Sequence, residues 1–268
     1  MSTRLVLKRL TRRTGLRRHH VAAARMCCER ALLAAVPRSR TAASGRILCY
    51  HSVGTPAWGV NDVSPRRFAQ HLHWLLDAGC RIVPAEAIAR GQAGPRDVAL
   101  TFDDNLASVE RNAAPLLASV RVPWTLFVVT DWAEGRHDFE RGTFLDWAAI
   151  ERLAGQGAAI GSHSVTHPNF GRLDEHRTVV ELEQSRQVIE QRLGIVPQSF
   201  AIPLGQSDNW NATAQATAEA AGYELVYAQA GETRPAGTVA RTFITRFDGK
   251  RLFNAALRGA FDTWEEWV

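Results

Sequence analysis

The sequence predicts a single α/β domain of about seven βα units closed into a barrel, and three observations carry that expectation. From Arg46 onward, short apolar runs alternate with stretches of helical period. The 268 residues, 46% of them hydrophobic, suffice for one large core. No mid-chain linker divides the alternation, so the structural rival is an open doubly wound sheet.

The strands are expected, in order, at residues 47–50, 98–102, 124–129, 158–162, 199–202, 225–228 and 239–245, each a short apolar run. Helices lie between them. Ser64 followed by Pro65 is an N-cap with Pro at the first helical position, opening a helix that stops at Gly79. Residues 143–153 and 174–193 read likewise, the second ending at Gly194.

The formal net charge of +5 is unevenly placed. Residues 1–46 hold 12 Lys/Arg against a single acid, Glu29, a balance of +11, whereas the remainder holds 20 Lys/Arg against 26 Asp/Glu, a balance of −6. The chain therefore divides into a basic, flexible N-terminal arm, 1–45, and a mildly acidic folded body, 46–268. That acidity argues against nucleic acid as a partner. Beside a poorly ordered extension, the arm allows contact with an anionic membrane, an organellar-type presequence, or a translation start at Met26. Its longest apolar patch, 31–36, is too short for a secretory signal, and no run approaches the roughly 20 residues of a membrane span. The expected location is cytoplasmic or membrane-peripheral. Cys27, Cys28, Cys49 and Cys80 form no C-x-x-C pair, which fits a reducing compartment or simple burial. There is no G-x-G-x-x-G or P-loop to support a nucleotide cofactor.

Three predicted strand ends carry chemistry, and in barrels of βα units such ends form the active site. Thr101-Phe102-Asp103-Asp104 puts two carboxylates where a strand gives way to a turn, so one can bind a cation while the other stays free as a base. His163-Ser164-Val165-Thr166-His167 follows another apolar run, and Pro203-Leu204-Gly205 a third. Singly each is weak, since an H-x-x-x-H pair or an Asp-Asp turn arises readily by chance. Together, one carboxylate and two imidazoles leave coordination positions open for water and substrate, the composition of a catalytic rather than a structural site. Such a cation polarises a carbonyl and acidifies a bound water, whose proton the second carboxylate takes.

These three stretches, in this order and spacing, resemble the first three motifs of the polysaccharide deacetylases, the family 4 carbohydrate esterases containing the NodB homology domain. Ile47-Leu48-Cys49-Tyr50-His51-Ser52-Val53 and Ala221-Gly222-Tyr223 look similar as well. The resemblance covers roughly residues 46–259 and implies a distorted (β/α)7 barrel in a catalytic domain spanning 46–268. It implies that Asp103 is the general base, that Asp104, His163 and His167 hold a divalent metal, zinc above other transition metals, and that an N-acetyl group on an amino sugar is hydrolysed to release acetate. The Leu204 backbone N–H, in the turn with Pro203, would face the oxyanion.

The chain also departs from the family. Asn105 stands where Gly is common, a residue still suited to the left-handed conformation, and it joins the expected oxyanion and substrate group. Phe200-Ala201-Ile202 replaces the Arg that often opens the third motif and braces the base, which resembles the branch acting on exopolysaccharides. No His follows His176, so the late catalytic-acid His is missing. Protonated Asp103 or His51 would then supply the amine's proton, although a strand-end His is equally a packing group. Arg241 is either an anion-binding group near the site or a structural ion pair. Trp58, Trp124, Trp132, Trp147 and Trp210 divide between core and sugar-stacking roles. His71 and His73 are read as non-ligands, and Asp208 as groove or solvated loop.

The expected substrate is thus an acetylated amino-sugar polysaccharide, oligosaccharide or glycolipid precursor. The alternatives are a catalytically impaired carbohydrate-binding member of the same fold, or a metal-dependent amidase acting on a small non-sugar amide.

Overall fold

The computed structural model describes residues 18–36, 45–229 and 233–265. In chain order the main elements are α1 (Arg18–Ala35), β1 (Arg46–Tyr50), β2 (Ser52–Val53), β3 (Asp62–Val63), α2 (Pro65–Asp77), β4 (Arg81–Ile82), α3 (Ala85–Ala89), β5 (Asp97–Phe102) and α4 (Ala114–Val120). They continue with β6 (Trp124–Val128), α5 (Thr130–Ala133), α6 (Trp147–Gly155), β7 (Ala158–Ser162), α7 (Glu175–Leu193), β8 (Ser199–Ala201), α8 (Ala212–Ala220), β9 (Leu225–Ala228), β10 (Val239–Ala240), β11 (Thr242–Phe243) and α9 (Lys250–Leu257).

A parallel sheet runs β10-β9-β8-β7-β6-β5-β1-β11, with β4 beside β5. Its two ends are halves of one segment: Val239 and Ala240 pair with β9, Thr242 and Phe243 pair with β1, and Arg241 sits at the break. The sheet therefore all but closes on itself into the expected barrel. Each predicted run forms a strand, the last one split in two. The pairs β2–β3 and β4–β5 were not expected, because two-residue strands carry no readable alternation.

Alternation sorts the side chains. Ile47, Ala99, Phe127, Ala201 and Tyr227 form one buried cluster with Ala85 and Ile88 of α3. Leu48, Tyr50, Leu100, Phe102, Leu126 and Val128 pack with the helices around the barrel in another. Gly161 makes the inner cluster possible, since a Cβ there would lie 2.4 Å from the Phe127 ring and 2.5 Å from its neighbouring carbon. The helix starts follow their caps: the side chains of Ser64, Asp146 and Asp174 accept from the N–H groups of Arg67, Ala149 and Arg177. Thus α6 begins at Trp147 rather than at 143, because Phe144 is spent in a bridge to Leu106 and the Leu145 N–H donates to the Asn105 carbonyl.

The N-terminal region needs correction. Residues 1–17 and 37–44 of the expected flexible arm lie outside the described residues, but Arg18–Ala35 form α1, with Met26 and Arg30 buried. The physical reason is a partner invisible in sequence: Arg30 donates to both carboxylate oxygens of Asp248, each at 2.7 Å, more than two hundred residues away. Among the described residues, no helix is long and apolar enough to cross a membrane.

Candidate metal and catalytic site

The Asp103 N–H donates to the Tyr50 carbonyl and prolongs the β5 ladder by one residue, which aims its side chain inward like that of Thr101. The chain then leaves the strand through two left-handed residues, Asp104 at φ 69° and Asn105 at φ 37°. Ser164 (75°), His167 (60°) and Leu204 (66°) are likewise left-handed, and Arg121 completes the set of such non-glycine residues among those described. All but Arg121 stand in the three strand-end loops singled out by sequence, where backbone strain accompanies function.

Asp104 Oδ1 lies 3.5 Å from His163 Nε2 and 3.4 Å from His167 Nε2. The three ligand atoms fall within 4.8 Å of one another. His163 Nδ1 is 2.8 Å from the Ala201 carbonyl, which can only accept; Nδ1 therefore carries the proton and Nε2 turns its lone pair into the site. His167 is stacked by Trp132 at 5.1 Å between ring centres. Burial holds the His167 pKa down to about 4, against the pull of Asp104, and so keeps its lone pair free. His163 is buried too, but Asp103 and Asp104 outweigh that and raise its pKa. Burial pushes Asp104 upward, yet His163 and His167 prevail and hold it far down, as an anion. Nevertheless Asp104 Oδ1 is buried without a hydrogen-bond partner. An ionised, buried carboxylate oxygen without a donor is costly, and a divalent cation at this point would satisfy it. The residues fit the expected metal.

The second loop has a support that sequence reading missed. Glu181 on α7, buried, accepts from the Val165 N–H (2.8 Å), the Thr166 N–H (3.0 Å) and the Thr166 hydroxyl (2.5 Å). A Glu on a polar helix gave no signal in sequence, because only the fold brings it under the loop.

Asp103 has different surroundings. Arg241 meets it side-on, Nη1 to Oδ1 at 2.6 Å and Nη2 to Oδ2 at 2.8 Å, and the Cys49 thiol donates to Oδ2 at 3.4 Å. Burial raises the Asp103 pKa, but the Arg241 charge more than offsets it and holds the group at about 2. Arg241 is 3% exposed and committed to this pair, so it is no anion site for substrate. It supplies from the closing strand the brace absent from the third motif. Asn105 also leaves the substrate group: it is fully buried, its Oδ1 accepting from the Val129 N–H and its Nδ2 donating to the Leu145 carbonyl, so it ties loops together.

Cys49, His51 and Asp103 also bring ligand atoms within 4.8 Å of one another. Arg241 already neutralises Asp103 and would repel a cation there, and burial holds the Cys49 thiol protonated. His51 is buried with Nδ1 unpartnered and its ring edge-on to Phe243 at 5.4 Å. Burial lowers its pKa despite Asp104 and Asp103, so it rests neutral.

The third loop exposes the Leu204 side chain (42%) while Pro203 is buried. A Cβ on Gly205 would meet Gln229 Cγ at 2.5 Å, so the turn needs glycine. Trp210 is core, its Nε1 donating to Gln215, and Asp208 is exposed. Trp124 packs edge-on to Phe102, and Trp147 Nε1 donates to Glu134. Trp58 and Trp132 instead join Phe139 and Phe144 in an aromatic wall beside His167. His71 is an internal bridge between the Tyr50 hydroxyl and the Asp248 carbonyl, and His73 pairs with Asp77 on the surface.

Comparison with known proteins places this geometry. The chain is 32% identical over 102 residues to a chitooligosaccharide deacetylase of Sinorhizobium fredii, covering 37% of this chain and 43% of that protein. It spans less than two thirds of the length of the curated relatives it matches, 62% at most. Among solved structures, IcaB from Ammonifex degensii is 25% identical with a TM-score of 0.66, covering 81% of this chain and 97% of that one. A de-N-acetylase from Aggregatibacter actinomycetemcomitans shares the fold at 20% identity, TM-score 0.68, over 79% of this chain and 98% of that one. With residues 90–226, just over half of its length, matching the polysaccharide deacetylase family profile, the chain belongs to the polysaccharide deacetylases.

Proposed function

We propose that the chain is a divalent-metal-dependent N-deacetylase of an acetylated amino-sugar glycan or glycolipid precursor, zinc being the favoured metal. One observation carries the reading: an Asp104–His163–His167 set with an unsatisfied carboxylate oxygen stands beside a second, fully braced aspartate. The Phe200-Ala201-Ile202 motif, through its resemblance to the exopolysaccharide branch, supports an exopolysaccharide-type substrate.

A cation held by Asp104, His163 and His167 would polarise the acetyl carbonyl and acidify the attacking water. Asp103 takes that water's proton. A carboxyl whose pKa is held at about 2 does not keep a proton and passes it on. In this reading His51, neutral and in the same cluster, receives it and delivers it to the departing amine, which its nearness to Asp103 supports. The Leu204 N–H, at the strained third loop, faces the oxyanion in this scheme.

The enzyme of this reading works in the cytoplasm or at a membrane periphery. Exposed Val21 and Leu32 on α1, after a strongly basic stretch, support contact with anionic lipid. Co-sedimentation with anionic but not neutral vesicles checks that contact. The reaction itself is tested by acetate release from partially acetylated glycans, chitooligosaccharides and small acetylated amides after metal reconstitution. Release from glycans alone is expected; release from small amides alone, or from nothing, overturns the reading.

A further inference from the structure

The strand that closes the barrel is split into two short pieces. β10 and β11 contribute two paired residues each, and the chain changes partner between them at Arg241, whose N–H still donates to the Ala228 carbonyl and whose side chain braces Asp103. A strand so short is positioned by its side chains as much as by its ladder. On the inside, Arg241 grips Asp103. On the outside stands a second buried arginine, Arg30 of α1, fully buried like its partner Asp248.

Arg30 Nη2 donates to both Asp248 oxygens and, at 3.3 Å, to the Phe243 carbonyl of β11 itself; Nε donates to Asp248 Oδ1 at 3.2 Å. Its guanidinium lies 3.9 Å from the centre of the Phe261 ring and 5.3 Å from that of Trp264. Asp248 turns the chain after the strand, accepting from the Thr245 N–H at 2.7 Å and the Thr245 hydroxyl at 3.3 Å. The route inward is short, since the Phe243 ring borders His51 and Arg241 is two residues upstream. Both Arg30 and Asp248 lie outside residues 90–226 that match the family profile.

We propose that Arg30 is a positioning residue of this enzyme, and that α1 is a clamp on the closing strand which keeps Arg241 set against Asp103. The inference rests on the deacetylase reading for its kinetic consequence, not for its structural one. An ion pair serving stability alone would alter melting and leave turnover intact at temperatures well below the transition. A clamp acts on turnover through Arg241.

The test compares Arg30→Met in the full chain with the same change in an Arg241→Lys background. In the first, kcat is expected to fall about tenfold with KM unchanged, the scale of a small displacement of a reacting group. In the second the change should have no further effect, because the brace it serves is already weakened. Equal losses in both backgrounds, or none in the first, overturn the proposal. Hydrogen exchange gives a readout independent of activity: the Ile244 N–H, bonded to the Cys49 carbonyl across the closing seam, should exchange faster in Arg30→Met while β6 and β7 do not change. Should Arg30→Met not fold, Arg30→Lys replaces it, since an ammonium keeps the charge but loses the Nε donation to Asp248 and the planar stacking on Phe261; unaltered exchange in that variant refutes the clamp. A wild-type chain that releases no acetate would defeat the deacetylase reading, and exchange would then decide the clamp alone.

Discussion

Asp103 and Asp104 are neighbours in sequence, both buried and both anionic, yet the fold treats them oppositely. Asp103 receives a bidentate guanidinium and a thiol, so each oxygen already has a partner. Asp104 faces two imidazole nitrogens at 3.4 and 3.5 Å, and its Oδ1 has no hydrogen bond. One carboxylate is neutralised by a guanidinium and the other keeps an oxygen without a donor. The difference shows how a single step along the backbone, from the last inward strand position to a left-handed turn, gives two adjacent carboxylates opposite surroundings, which the proposed mechanism uses as base and ligand.

The largest effect should come from emptying the ligand side. Asp104→Ala is expected to abolish stoichiometric metal binding, read by elemental analysis, and to lower acetate release by about 10³-fold or more. Retained metal with full activity would erase the distinction between the two aspartates. Asp103→Asn should keep the metal and lower kcat by about 10²- to 10⁴-fold, the range of a lost proton transfer. Loss of metal in that variant would move Asp103 to the ligand side.

Next in size is the brace. Arg241→Met leaves Asp103 buried and unpaired, and should destabilise the fold by about 3–5 kcal/mol at neutral pH. The sign follows from the depressed pKa: this stability is present above the ordinary carboxylate value of 3.8 and is lost as pH falls through about 2. Without Arg241, Asp103 should protonate at higher pH, so acid unfolding should begin earlier; identical melting-versus-pH curves would show that the pair does not set the Asp103 charge. His51→Ala should lower kcat by about 10²-fold with metal content and melting temperature little changed. An unchanged pH-rate profile would remove His51 from the proton path.

Much of this was readable from local pattern. Strand runs, N-caps and the three loaded loops are encoded within a few residues of themselves, and apolar alternation needs no distant partner. The role of Arg241 was not readable, because its pairing with Asp103 spans 138 positions and an Arg opening a strand resembles any other. Asn105 misled for the opposite reason: its position in the motif suggested substrate, whereas its amide is consumed by Val129 and Leu145, which only the folded loops bring near. Arg30 belongs with Arg241, as a charged residue whose buried partner lies far off in the chain, while Glu181 meets its loop only 16 positions away but from a helix that folds back under it.

The sequence alone therefore determined the barrel class, the order of its strands and the three strand-end loops that carry Asp104, His163 and His167, since each depends on periodicity or on short motifs. The tertiary structure decided which aspartate is neutralised from within, what braces it, where His51 stands and that Arg18–Ala35 dock as a helix. Those outcomes depend on the burial of charge, and a buried charge is tolerated only where the fold delivers its counter-charge from elsewhere in the chain.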